Sequence, residues 1–230
     1  MRVAVLPARG GSKRIPRKNV RNFRGRPMIA WPIAAARESA CFDHIVVSTD
    51  DEEIVAVAEQ HGAEVPFRRP PKLADDHTGT LPVMAHAAEA VSTLYGPVDV
   101  VCCIYPTTPL ITPADLDKAV QTLLTEDCAY VFAVTRYPSP IQRALRRDPR
   151  GRVRMFDPEM FSKRSQDLEE AWHDAGQFYA ARPETWRRQQ PIFTEASIGL
   201  PLPRQRAVDI DTLEDWTLAE AMAEVSDRRG

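Results

Sequence analysis

Short apolar runs alternate with longer stretches of helical period along most of this 230-residue chain. Residues 3–6, 44–48, 98–105 and 130–135 are brief and rich in Val and Ile, the pattern of buried strands. Between them, residues 28–39, 51–61, 81–94 and 113–124 repeat their apolar positions at three and four, which predicts amphipathic helices. Thr49 and Glu52 stand three apart at the head of the second helix, the spacing of a capping box. Strand and helix in alternation predict an α/β fold, a mostly parallel sheet with helices on both faces. Such a sheet carries its ligand site at the carboxyl ends of its strands.

The rhythm breaks over residues 138–172, which are charged (RRDPRGR, KRSQDLEE) and weakly periodic. They read as an inserted arm outside the main sheet, either packed on a second subunit or lying as a long solvated loop. Pattern resumes with strand-like runs at 176–181 and 207–210 and a final helix at 212–224. No internal repeat or low-complexity tract interrupts it, so residues 1–230 read as a single domain carrying one insertion.

Composition narrows the class. An apolar fraction of 43% is ample for a buried core, and 20 prolines predict many shaped loops. No apolar run reaches the roughly 20 residues of a membrane helix, and the first residues lack the apolar segment of a signal peptide. No membrane partner is expected. Cys41, Cys102, Cys103 and Cys128 form no C-x-x-C pair. Cys102 and Cys103, adjacent in a strand, should face opposite sides, and all four read as reduced thiols of a cytoplasmic protein.

Charge changes the picture more. The chain is nearly neutral at −2, yet ten basic side chains precede its first acidic residue, Glu38. A local positive field favours an anionic partner. Nucleic acid, a membrane surface and a polyphosphate all qualify. Gly10 and Gly11 follow the first strand directly, and two glycines there let the backbone turn and aim N–H groups at an anion. Lys13, Arg14, Arg17 and Lys18 add side-chain charge at the same point. The spacing is neither Walker A nor G-x-G-x-x-G. A glycine turn with clustered cations on the first strand of an α/β sheet still reads as a polyphosphate cradle; the bland alternative is a solvated basic loop. Nucleic acid fits less well, because the rest of the chain is not basic and no interleaved aromatics line the patch.

PARGGSKRIPRKN, followed in order by VSTDDEEI, RPPKLADDHTGT, YPTTPL and DIDTLEDW, resembles the acylneuraminate cytidylyltransferase family over nearly the whole chain. The resemblance implies a Rossmann-like fold of the nucleotide-diphospho-sugar transferase type, with 138–172 as a dimerisation arm of a homodimer. It implies CTP and a nine-carbon sugar acid as partners and Mg²⁺ as cofactor. The anomeric hydroxyl of the acid would attack the α-phosphorus, giving the CMP-sugar and pyrophosphate. On the matching positions, Arg9, Gly10, Gly11, Ser12, Lys13, Lys18 and Asn19 would hold the triphosphate, with Arg9 and Lys18 catalytic. Arg69, Asp76, Thr78 and Thr80 would close over cytosine and ribose; by itself, Arg69 would read as a surface arginine beside Pro70.

Asp209 and Asp211 fall on alternate positions of the expected strand 207–210 and its end, so both carboxylates should face one side. That suits Mg²⁺, and the resemblance makes both catalytic metal ligands; a cap for the last helix is the competing role for Asp211 or Thr212. CCIY, KRIPRKN and AWHDAGQFY resemble the pseudaminic acid branch, where Tyr105 stands in place of the glutamine usual in the sialic acid branch. Tyr105, Gln177, Phe178 and Tyr179 are then the sugar-side residues, with core packing the alternative for Phe178. No side chain stands out as the base for the sugar hydroxyl. Other ulosonic acids, and a non-catalytic nucleotide binder, are the alternatives in function.

Overall fold

The computed structural model describes residues 1–227. From the N-terminus the chain runs β1 (Arg2–Pro7), a small hairpin of β2 (Asn22–Phe23) and β3 (Arg26–Pro27), α1 (Ala30–Glu38), β4 (His44–Ser48), α2 (Glu52–Gln60), α3 (Thr80–Tyr95), β5 (Val100–Ile104), α4 (Pro113–Thr125) and β6 (Tyr130–Arg136). A second hairpin, β7 (Leu145–Arg147) with β8 (Val153–Met155), precedes β9 (Trp172–Ala181), α5 (Pro183–Arg187), β10 (Ser197–Pro201) and α6 (Leu213–Asp227).

Six strands form the main sheet in the order β10-β6-β9-β5-β1-β4. All neighbours are parallel except β9, which runs antiparallel to both β5 and β6. Helices α1, α2 and α4 cover one face through Ile33, Ile54, Leu116 and Leu123, packed on Leu6, Val47, Ile104 and Phe178. Helices α3 and α5 cover the other through Met84, Val91 and Trp186, packed on Val5, Val101, Tyr130 and Tyr179. The expected layering holds. Cys102 and Cys103 lie in opposite clusters, and all four thiols are free. No helix among the described residues is long and apolar enough to cross a membrane.

A third cluster lies off the sheet. Ile15, Phe23 and Met28 from the start of the chain pack with Ile210, Trp216, Ala219 and Ala223 from its end. This cluster corrects one expectation. Residues 207–210 form no strand; Ile210 alternates with polar neighbours because it is buried here, with Val208 packed partly against the same group. Burial on any surface can imitate a period of two over so short a run.

Three further differences have local causes. The cap of α2 is Asp51, whose side chain accepts from the Ile54 N–H, while Thr49 is buried and accepts from the Asp51 N–H. β10 is absent from the apolar pattern because Gly199 and Pro201 interrupt it; as an edge strand it tolerates both, and a side chain at Gly199 would meet Val134 within 3 Å. The segment from Pro138 stands outside the main sheet, carrying the β7–β8 hairpin and short 3₁₀ turns, but Trp172 already belongs to β9.

Trp186 is fully buried, donates its indole N–H to the Val101 carbonyl at 2.9 Å and meets Tyr130 edge-on. Truncating it leaves a large cavity and removes the indole hydrogen bond to β5. Trp186→Ala should lose about 3–5 kcal/mol, read as a lower urea midpoint at an unchanged m-value.

Candidate active site

β1 ends at Pro7, and the loop beyond it is held by backbone and acidic contacts from the segment after β4. The Ala8 N–H donates to the Ser48 carbonyl at 3.0 Å, and the Gly10 N–H donates to Asp50 Oδ1 at 3.1 Å. A Cβ at Gly10 would overlap the Asp51 carboxylate, whereas one at Gly11 would meet nothing within 4 Å. Gly10 is therefore required by close approach to Asp51; Gly11 leaves the backbone open. Asn19 is buried and donates its amide to the Arg9 carbonyl at 3.0 Å, closing the loop from below.

The cations of this loop divide by task. Arg9, Lys13, Arg14 and Lys18 line a cleft of about 600 Å³, together with Ser12 and Asn19. Arg17 turns away. Its guanidinium grips Asp51 in two bonds of 2.6 and 2.8 Å and also bonds Glu53. Arg21 and Arg26 lie over the rings of Trp216 and Trp31, where they cover apolar surface as much as they carry charge. The expectation that Arg17 adds to the anion-binding field is thereby corrected: its charge is consumed by acids that follow β4.

Two carboxylate positions flank the cleft. Asp76 pairs with Arg9 at 2.7 Å and with Lys13, and those bonds hold its carboxyl below the ordinary range. Asp211 pairs with Arg14 at 2.7 Å and lies 3.6 Å from Lys18, whose ammonium donates to the Ile210 carbonyl at 2.5 Å. Pairs this exposed contribute little, so a polyphosphate oxygen can take the place of a carboxylate at small cost. Asp209 lines the same cleft. Partial burial, then the neighbouring Asp211 charge, push its carboxyl above the usual value.

The helix cap competing for Asp211 is filled by other residues. Thr212 and Asp215 exchange side-chain and backbone bonds in a reciprocal box, and Asp215 also accepts the Asp211 N–H. The Asp211 carboxylate is left for the cleft.

The other expected residues, Tyr105 apart, stand around this cleft without lining it. Arg69 is buried, only 5% exposed, with its guanidinium on the Ser48 carbonyl at 2.6 Å and hydroxyl at 3.3 Å. Burial pulls its pKa down to about 10, leaving it cationic at neutral pH. Thr78 turns onto Asp75, and Thr80 bonds the Tyr105 hydroxyl at 2.7 Å. Tyr105 itself lines the cleft at the end of β5. Tyr179 is buried beside it, ring centroids 5.4 Å apart, and donates to Asp174 Oδ2 at 2.5 Å. Gln177 is buried, its amide N–H on the Ala175 carbonyl and its oxygen without a partner. Phe178 is packed wholly in the opposite cluster, the core position weighed for it above.

Asp174 is a neighbour of the site that sequence reasoning missed. Tyr179 opposes Phe132 and Asp174 opposes Val134, so a bulge places side chains five apart on one face. Gly176, at φ +60, makes that bulge, and its N–H donates to Asp174 Oδ1. A period of two predicts the opposite, and only the glycine in AWHDAGQFY hints at the break.

A cytidylyltransferase family model matches residues 3–224. The chain belongs to the cytidylyltransferase family. It is 40% identical over 224 residues to the pseudaminic acid cytidylyltransferase of Campylobacter jejuni, covering 97% of both chains. It is 32% identical over 231 residues to the CMP-N,N'-diacetyllegionaminic acid synthase of Legionella pneumophila, covering 97% of each. Among solved structures, the CMP:2-keto-3-deoxy-manno-octonic acid synthetase complexed with CTP superposes with a TM-score of 0.69 at 17% identity, over 99% of this chain and 100% of that one. As a cytidylyltransferase, the chain is a CTP-dependent nucleotidyltransferase, and its fold is that of the nucleotide-sugar synthetases.

The brace beneath the loop of this cytidylyltransferase is sensitive to acid. The Arg17 bonds hold the Asp51 carboxyl down at about 2, against about 3.9 in an unfolded chain. A depressed folded-state pKa contributes stability present above the unfolded value and lost as pH falls through the folded one. Arg17→Met should therefore be less stable than wild type at neutral pH, and the gap in denaturant midpoint should close as pH falls from about 4 toward 2. A gap that persisted at the lowest pH would assign the loss to packing instead.

Proposed function

We propose that this chain activates pseudaminic acid, taking CTP and the acid to CMP-pseudaminic acid and pyrophosphate. The observation that carries the reading is one cleft lined by a cationic glycine loop on one side and by Asp209 and Asp211 on the other. The identity of the Campylobacter jejuni relative supports the choice of acid. Arg9, Ser12, Lys13, Lys18 and Asn19 bind the triphosphate, with the open backbone at Gly11 free to approach it. Arg9 and Lys18 offset charge that builds on the α-phosphoryl and the leaving pyrophosphate as the anomeric hydroxyl attacks. Arg69, Thr78 and Thr80 border the nucleoside side.

The donor set fits Mg²⁺. Like charge and partial burial raise the Asp209 carboxyl beside Asp211, a strain that a divalent cation relieves. Among the described residues no group of three or more His, Cys, Asp or Glu could hold a metal. Mg²⁺ needs only one or two carboxylates, completing its shell with phosphate and water. Asp209 and Asp211 would hold it, and when bound it would neutralise phosphate charge and polarise the α-phosphoryl.

On the acceptor side, the Tyr105 hydroxyl is committed to Thr80, so a substrate beside it meets an aromatic ring in place of a long amide. A less polar wall suits an acid with a deoxygenated terminal carbon. We also assign residues 138–172 as a dimerisation arm of a homodimer, because Ile141, Leu145, Val153, Phe156 and Phe161 leave large apolar side chains exposed along it. The four free thiols suit a reducing cytoplasm.

Pyrophosphate release with CTP and Mg²⁺, compared across pseudaminic, N-acetylneuraminic and legionaminic acids, tests the reaction and the substrate together. Rapid release is expected with pseudaminic acid. Preference for another acid would reassign the substrate, and silence with all three, while CTP still binds, would move the reading to another ulosonic acid or to a non-catalytic nucleotide binder. Asp211→Asn should lower kcat by about a hundredfold or more while leaving the melting temperature near that of wild type.

A further inference from the structure

The two aspartates sit on chain that nothing regular holds. Between the 3₁₀ turn Arg204–Arg206 and α6, residues 207–211 belong to neither helix nor strand. A metal ligand on such a segment must still be placed to a fraction of an ångström. Besides the burial of Ile210, three side chains supply the constraint. Lys18 donates to the Ile210 carbonyl, and Asp215 accepts the N–H groups of Asp211 and Thr212. The third is Arg206, three residues before Asp209.

Arg206 reaches Asp115 with both terminal nitrogens, one of them at 3.1 Å. The side chains are only 20% and 12% exposed, against 67% and 34% for the Arg14–Asp211 pair. Asp115 is itself fixed, because it closes the capping box of α4 on the Thr112 N–H and hydroxyl. α4 begins where the strand-end loop from β5 finishes, and that loop lines the cleft at Tyr105, Pro106 and Thr107. The ion pair therefore ties the carboxylate-bearing segment to the helix that follows another lining stretch of the same cleft. Arg206 does not line the cleft.

We propose that Arg206, through Asp115, is a positioning residue that sets Asp209 and Asp211 at metal-binding distance from the nucleotide. This rests on the assignment of those aspartates as metal ligands. A planar, two-nitrogen grip holds orientation as well as distance, which lysine cannot reproduce.

The test is CTP affinity of the full chain, measured by calorimetry with and without Mg²⁺ and with no sugar acid present. Arg206→Ala should bind CTP alone as wild type does, but lose about tenfold to a hundredfold of the tightening that Mg²⁺ confers. Arg206→Lys should recover part of it, and Asp115→Asn, which keeps a capping oxygen, should behave like the alanine variant even if that variant folds poorly. Full Mg²⁺ tightening in folded Arg206→Ala, or in Asp115→Asn, would overturn the proposal. An equal loss of affinity with and without Mg²⁺ would also overturn it, as the mark of a general structural role. Asp211→Asn separates the two layers: if it retains the Mg²⁺ effect, the metal assignment itself fails; if it loses the effect and the Arg206 variants do not, only the positioning role fails.

Discussion

The cleft depends on the burial of Ile210 among residues from the other end of the chain. Ile15, Phe23 and Met28 meet Ile210 and Trp216 in a cluster separate from both faces of the sheet. Large side chains removed from water contribute roughly 1.5–3 kcal/mol each, so the cluster is strong enough to fasten two segments about 190 residues apart without help from sheet hydrogen bonds. With Ile210 anchored inward, Asp209 and Asp211 on either side of it border the cleft, opposite the glycine loop. Without that anchor Arg14 and Lys18 would lose their pairing with Asp211, while Arg9 and Lys13 would keep Asp76.

Electrostatics then sorts a basic segment that looks uniform as a string of letters. Arg17 is neutralised by Asp51 and Glu53 and becomes a strut. Arg21 and Arg26 rest on tryptophan rings. Arg9, Lys13, Arg14 and Lys18 are held in loose pairs with Asp76 and Asp211. The strut grips Asp51 with two nitrogens and also bonds Glu53, whereas Arg9, Lys13, Arg14 and Lys18 line the cleft itself. This difference in bonding and in position separates the residue that braces the loop from those that face the cleft.

The antiparallel β9 brings a second constraint. Inserted between β5 and β6, it sets Tyr179 against Tyr105 at the end of β5. The bulge at Gly176 then turns Asp174 to the same face, where it receives the Tyr179 hydroxyl. Thr80, Tyr105, Tyr179 and Asp174 thus form a line of contacts from the start of α3, past the end of β5, to β9.

What the sequence by itself determined is everything that local chemistry controls. The alternation of Val-rich runs with helical period established the α/β class and the layering, because burial on two faces demands those patterns. The glycines beside a cationic cluster marked the loop whose side chains line the cleft, and the ordered motifs through DIDTLEDW marked the family. Tertiary structure alone decided which partner each polar group found. It took Arg17 away from the cleft, buried Arg69 against Ser48, packed Phe178 into the core, replaced the expected strand at 207–210 by an anchored irregular segment, and joined Arg206 to Asp115 across 91 positions. Each of those outcomes depends on distances between residues far apart in the chain, and hydrophobic period carries no information about such distances.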